Sequence, residues 1–199
     1  MRKLLPLTLV ILTSTYVSTA SADNNWYIGA SYSSHDVSIP GRNFNTAGIL
    51  AGYQFTQHLA LETRLATGTS GYSGVASISE DEYIGDYSED IDTQASISLK
   101  ASYPLLDSLS IYALAGFTQT RMDIDSFAID FGSDNTVIGY EPIARTFTES
   151  GLSYGIGLNY QLSRQFSVFV DYQVLPDFEP ASNFSASWKT ISAGVSYSF

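Results

Sequence analysis

Cysteine is absent from the 199 residues, which excludes a disulfide framework and any thiolate chemistry. Histidine occurs only as His35 and His58. His58 falls in a short turn. His35 has Asp36 beside it, but neighbours on a strand point to opposite faces and cannot form a catalytic dyad. Basic side chains number nine against twenty acids, giving a net charge of −11, and an acidic surface repels phosphate, so nucleic acid is excluded as a partner. Beyond Val17 no apolar stretch approaches the ~20 residues of a membrane-spanning helix. Neither a phosphate loop nor a dinucleotide fingerprint is present. The expectation is a chain without enzymatic activity and without a cofactor.

Aromatic side chains, by contrast, are abundant, with 14 Tyr and 11 Phe. At the start, Arg2 and Lys3 precede an apolar run from Leu4 to Val17, and Ala20, Ser21 and Ala22 follow in an A-x-A arrangement. A basic start, a short apolar core and small residues form a secretory signal. Residues 1–22 are therefore expected to be a cleaved signal peptide, and residues 23–199 a single exported domain.

Eight segments of that domain alternate, one phase apolar and the other small, polar or charged. The first runs Trp26, Ile28, Ala30, Tyr32; the sixth runs Leu152, Tyr154, Ile156, Leu158, Tyr160; the last runs Ile191, Ala193, Val195, Tyr197, Phe199. Period-two alternation over about ten residues is the signature of a tilted strand with one side in lipid. A strand can cross lipid only inside a closed barrel that leaves no backbone group unpaired. Three connections are short (56–58, 104–108 and 161–165), and they alternate with long ones at 33–43, 68–93, 118–149 and 175–187. Short periplasmic turns alternate with long extracellular loops in this architecture, placing both termini on the periplasmic side. The fold class expected is all-β: an eight-stranded antiparallel up-and-down transmembrane β-barrel.

The stretches Ser98 to Leu105 with Ser110 to Phe117, and Gly151 to Tyr160 running into Phe166 to Tyr172, resemble the OmpA-type transmembrane domain and the opacity-type porins, both eight-stranded. The resemblance implies residence in the bacterial outer membrane, with its lipid and lipopolysaccharide as surroundings. It also implies that the terminal aromatics Tyr197 and Phe199 are the assembly signal read by the barrel-assembly machinery. It covers the barrel alone and implies no role in tying the membrane to the cell wall.

In such a barrel the second phase faces inward and includes Glu62, Arg64, Lys100 and Asp171. An eight-stranded interior is narrow enough for side chains to fill, so these two acids and two bases are expected to form a charge network, Glu62 with Lys100 and Asp171 with Arg64. Two readings follow. One is a structural plug, and the other is an ion gate of the kind proposed for OmpA-type barrels. The most polarised segment carries Glu80, Asp81, Glu82, Asp86, Glu89, Asp90 and Asp92 without a basic residue. It is expected to be a solvated acidic loop. Clustered carboxylates also suit a divalent cation, although the spacing matches no calcium loop. The functional expectation is a non-enzymatic outer-membrane barrel with a structural or surface-interaction role through acidic extracellular loops. The alternative is a narrow passive channel for ions or small solutes.

Overall fold

The computed structural model describes residues 25–39, 41–79, 82–131, 137–181 and 184–199. The expected signal peptide lies outside them. The described chain forms nine strands: β1 Trp26–Val37, β2 Asn43–Gln54, β3 Leu59–Ser70, β4 Tyr72–Ser79, β5 Glu82–Pro104, β6 Leu109–Phe131, β7 Val137–Gln161, β8 Phe166–Ala181 and β9 Phe184–Ser198. β3 and β4 follow one another across Gly71 and both pair with β5, so nine strands make eight staves. Each stave pairs antiparallel with its neighbours in chain order, and β1–β9 and β3–β5 pairings complete the ring.

The register fixes the shape of the barrel. Followed once around, it leads from Asn159 through Phe169, Gly194, Ser31, Gly48, Ala66, Gln94 and Thr120 back to Glu149, ten residues along the starting strand. With a rise of ~3.3 Å per residue and ~4.8 Å between strands, that stagger tilts the staves by roughly 40°.

Side-chain phase follows the sequence pattern. Ile28, Ile49, Leu65, Ile97, Leu99, Ile156, Val170, Ile191 and Val195 point outward and are exposed, and Leu152 reaches 80 % exposure. Glu62, Ser98, Thr118, Ser153, Asp171, Thr190 and Ser192 point inward and are buried. Such inversion of a water-soluble protein is stable only where the outside is apolar, which is the condition lipid supplies.

At one rim the connections are tight. Phe55, Leu105 and Leu162 donate backbone N–H groups to the carbonyls of Leu59, Leu109 and Phe166 at 2.8 to 2.9 Å. Aromatic rings gather above these turns: Trp26 on Tyr53 at 5.0 Å, Phe166 on Tyr197 at 5.1 Å, and Tyr197 on Phe199 at 5.2 Å. Rings with one apolar and one polar end are favoured at a lipid–water boundary.

The opposite rim differs from the expectation of irregular loops. Among the described residues of 118–149, β6 and β7 form one ribbon, paired from Thr118↔Gly151 to Phe131↔Val137. The described part of the acidic segment lies in β5, where residues 82–89 pair with β4 from Ser79↔Glu82 to Tyr72↔Glu89. Once a strand rises above the lipid its outward side need not be apolar. The period-two signal then fades while the hydrogen-bond ladder continues.

Candidate functional site: the closed lumen

The tight-turn end opens into a polar vestibule of about 540 Å³ lined by Gln54, Gln57, Asn159, Gln161 and Ser196, with Lys100 at its inner end. Above it lies the charge layer. Lys100 Nζ is 3.1 Å from Glu62 Oε2. Arg64 donates from Nε to Glu62 Oε1 at 2.8 Å and from Nη2 to Asp171 Oδ2 at 2.7 Å. The four residues named from sequence are thus brought together. Arg64 also bridges the two acids, so the arrangement is one continuous network rather than two separate pairs.

Three further side chains complete the network, and their roles were not read from the sequence. Tyr27 donates its hydroxyl to Glu62 Oε2 at 2.7 Å; Tyr112 and Gln173 donate to Asp171 Oδ2 and Oδ1, each at 2.8 Å. The Lys100 ammonium lies 4.2 Å from the Tyr112 ring centre and the Arg64 guanidinium 5.3 Å from that of Phe169, both favourable against the negative face of a ring. Glycine makes room for the tyrosines. A Cβ at Gly52 would meet Tyr27 at 2.1 Å and one at Gly157 would meet Tyr112 at 2.4 Å, so both rings lie flat on bare backbone. The sequence signal was available: Tyr27 and Gly52 share the inward phase and pair across β1–β2.

Two cations against two carboxylates leave this layer neutral, and no buried side-chain nitrogen or oxygen among the described residues lacks a partner. Buried ions are tolerable only when paired and fully hydrogen-bonded. The layer meets both conditions.

Beyond Arg64 is a cavity of about 20 Å³ lined mainly by hydroxyls and amides, among them Ser31, Ser33, Gln94, Ser96, Gln173 and Ser192. It has room for about one water. An apolar layer then closes the lumen a second time: Val37, Phe44, Ile91, Met122, Leu175, Phe178, Ala186 and Trp188 form one buried cluster. Trp188 is at its centre, 6.3 Å from both Phe44 and Phe178 and 1 % exposed. His35 hangs beneath it with both ring nitrogens engaged, by Thr190 at 2.8 Å and Thr46 at 2.9 Å. Sequence spacing separated His35 from Asp36 and did not foresee this position.

The acidic residues fare differently. Glu89 is buried beneath Arg42 of the β1–β2 connection, with Nε to Oε2 at 3.0 Å, and also accepts from Tyr87. The Arg42 guanidinium lies 5.3 Å from the Tyr72 ring and 5.8 Å from the Tyr87 ring. Burial, the hydrogen bond to Glu89 and the charge of Glu89 push the Tyr87 phenol up to about 12. Part of the expected solvated loop is therefore a clamp that docks one hairpin on another connection. A basic partner is missing within the acidic segment but is supplied from elsewhere in the chain. Asp92 faces Arg121 at 3.3 Å, and Asp90 is exposed. Glu80 and Asp81 lie outside the described residues, as do the side chains of Glu82 and Asp86. Among the described residues no three His, Asp or Glu side chains converge as a metal site would need.

At the chain end, Phe199 donates its backbone N–H to the Trp26 carbonyl at 3.2 Å, and Gln165 donates to the Tyr197 hydroxyl at 3.0 Å. Phe199 itself is exposed and contributes little to the interior. Changing it to Ser is therefore expected to impair delivery to the membrane far more than stability once folded. Heat-modifiable gel mobility together with membrane abundance separates the two, and normal abundance would remove the assembly role.

An inverted exterior, a stagger suited to eight staves and a plugged polar lumen define a membrane β-barrel of the bacterial outer-membrane class. Residues 5–199 match the family model of the outer membrane protein beta-barrel domain, and the chain belongs to that family. Among its relatives are outer membrane protein P5 of Haemophilus influenzae, 27 % identical over 79 % of this chain and 45 % of that protein, and outer membrane protein A of Serratia marcescens, 26 % identical over 94 % and 52 %. The chain thus spans about half the length of these relatives. Solved structures of similar fold include Neisserial surface protein A, with a TM-score of 0.55 at 16 % identity over 88 % of this chain and 97 % of that one. Ail, the attachment invasion locus protein of Yersinia pestis, gives 0.54 at 14 % identity over 89 % and 100 %.

Proposed function

We propose that this chain is a non-enzymatic outer-membrane barrel with a sealed lumen, acting structurally or through surface contacts made by its long acidic hairpins. The observation that carries the reading is closure at two successive levels, the Glu62–Arg64–Lys100–Asp171 layer and the Trp188 cluster. The tight-turn rim with both termini is the periplasmic end in this reading, and the long hairpins are extracellular. Residues 1–22 serve as the export signal, and the barrel-assembly machinery, lipid and lipopolysaccharide are the partners. No described histidine meets a nucleophile and a carboxylate together, which supports the non-enzymatic reading. The net charge of −11 argues against polyanionic partners such as nucleic acid.

The vestibule supports the alternative, a narrow passive channel, since it brings water as far as Lys100 and Glu62 lies within reach of both cations. Planar-bilayer recording separates the readings. The sealed barrel gives no sustained conductance, and Lys100→Ala stays closed because the apolar layer remains. Steady conductance in the unaltered protein, or a shift in open probability in the Lys100 variant, establishes the channel instead.

A further inference from the structure

His35 sits where its protonation state decides a contact. Trp188 Nε1, which can only donate, is 3.2 Å from His35 Nδ1. Nδ1 must therefore carry a lone pair, which makes the ring neutral with its proton on Nε2. That proton is directed at Thr46 Oγ1, 2.9 Å from Nε2, and the Thr190 hydroxyl oxygen lies 2.8 Å from Nδ1. The indole and imidazole meet edge-on at 5.8 Å. Trp188 is in turn the piece that Phe44 and Phe178 pack against, so one imidazole lone pair anchors the centre of the outer closure.

We propose that this closure is acid-labile, with His35 as its key: a proton on Nδ1 confronts the Trp188 N–H with another N–H and places a charge under an apolar layer, so the layer loosens. Among the described residues, the side chains that contact His35 are Thr46, Trp188 and Thr190, none of which offsets the added charge. Phe44 and Thr46 from β2, and Trp188 and Thr190 from β9, carry no titratable group. On β1, Asp36 faces outward, as does its β9 partner Lys189. Arg42 and Glu89 neutralise one another at the far side of the apolar layer, and Arg64, which lines the small cavity, is paired with Glu62 and Asp171 in the neutral ionic layer. His35 is above the lipid-facing band, since Ser34 and Asp36 are the outward residues at its level. Burial holds its pKa down at about 4. The unfolded chain, with an imidazole near 6.5, binds the proton first. The stabilisation from a neutral His35 is complete above that value, declines as pH falls through the window between the two, and is gone below about 4.

The test uses the full barrel in lipid vesicles, with Trp26→Phe so that Trp188 is the sole indole. Lowering the pH from 7 to about 3, across the imidazole range, is expected to shift Trp188 emission to the red and increase its quenching by acrylamide. His35→Gln retains a donor and an acceptor without a basic nitrogen and is expected to remove the transition. Persistence of the transition in His35→Gln, or no transition in the parent, overturns the proposal. A second measurement needs no change at His35. In a His58→Gln barrel, nitrogen NMR of the remaining imidazole at neutral pH is expected to show the proton on Nε2. A proton on Nδ1, or a ring already charged at neutral pH, overturns it equally.

Discussion

Replacing Arg64 by Ala is expected to cost about 3–5 kcal/mol of barrel stability, the range for removing one member of a buried ionic network. Among the described residues, Arg64 is the one side chain bonded to both acids. Without it the donors left to Asp171 among the described residues are the neutral Tyr112 and Gln173, and the residue is 2 % exposed. Lys100→Ala is expected to cost less, because Glu62 retains Arg64 and Tyr27 and vestibule water reaches the vacated space. Equilibrium unfolding in lipid vesicles measures both. A double-mutant cycle with Glu62→Gln adds the decisive comparison: the Glu62–Lys100 pair changed together should lose less than the sum of its single changes, since neither orphan ion then remains. Strict additivity, or an Arg64 variant as stable as the parent, would show that the ionic layer does not hold the staves together.

The second large effect is expected at the other closure. Trp188→Ala deletes a side chain that fills the centre of the apolar layer, and large aromatic-to-alanine changes in a packed interior cost about 3–5 kcal/mol. The loss here has two parts. Phe44 and Phe178 lose the ring between them, and His35 loses its indole donor. Trp188→Phe should recover much of the packing but not the hydrogen bond, and so fall between parent and alanine variant. Thermal unfolding followed by gel mobility orders the three proteins. Equal midpoints for Phe and Ala would mean that packing contributes nothing and would contradict the central position assigned to Trp188.

The two layers also explain why a conductance phenotype is not expected from changing either alone. A solute entering from the vestibule meets Lys100 first, then the Arg64 bridge, and only after the small hydroxyl-lined cavity the ring of Phe44, Ile91, Met122 and Trp188. Opening the ionic layer leaves an apolar barrier in place. Opening the apolar layer leaves the ionic one.

Much of this molecule was legible in the sequence, for a definite physical reason. Lipid enforces a strict outward phase, so wherever a strand is in the membrane each alternate residue must be apolar, and the phase assigns the inward set by elimination. By that rule the sequence alone assigns Glu62, Arg64, Lys100 and Asp171 to the inward phase. Strand order followed from the alternation of short and long connections. Above the lipid the same reasoning stops working. Tyr72 and Glu89 belong to a paired hairpin, but water does not demand an apolar outward face there, and the segment reads as an acidic loop.

Tertiary structure alone decided the contacts that depend on register and on residues far apart in the chain. The ten-residue stagger determines which inward side chains share a level. It sets Asp171 against Arg64, 107 positions away, and Trp188 against His35, 153 positions away. Alternation says that a residue points inward but not how high it sits relative to another strand, so the fusion of two expected pairs into one network was not readable. The same holds for Arg42 and Glu89, whose pairing depends on two connections meeting above the rim. Sequence determined the barrel and the sign of its lining, because the solvent outside it permits one pattern; the closure of its lumen came from the shear of the closed sheet, which no single strand encodes.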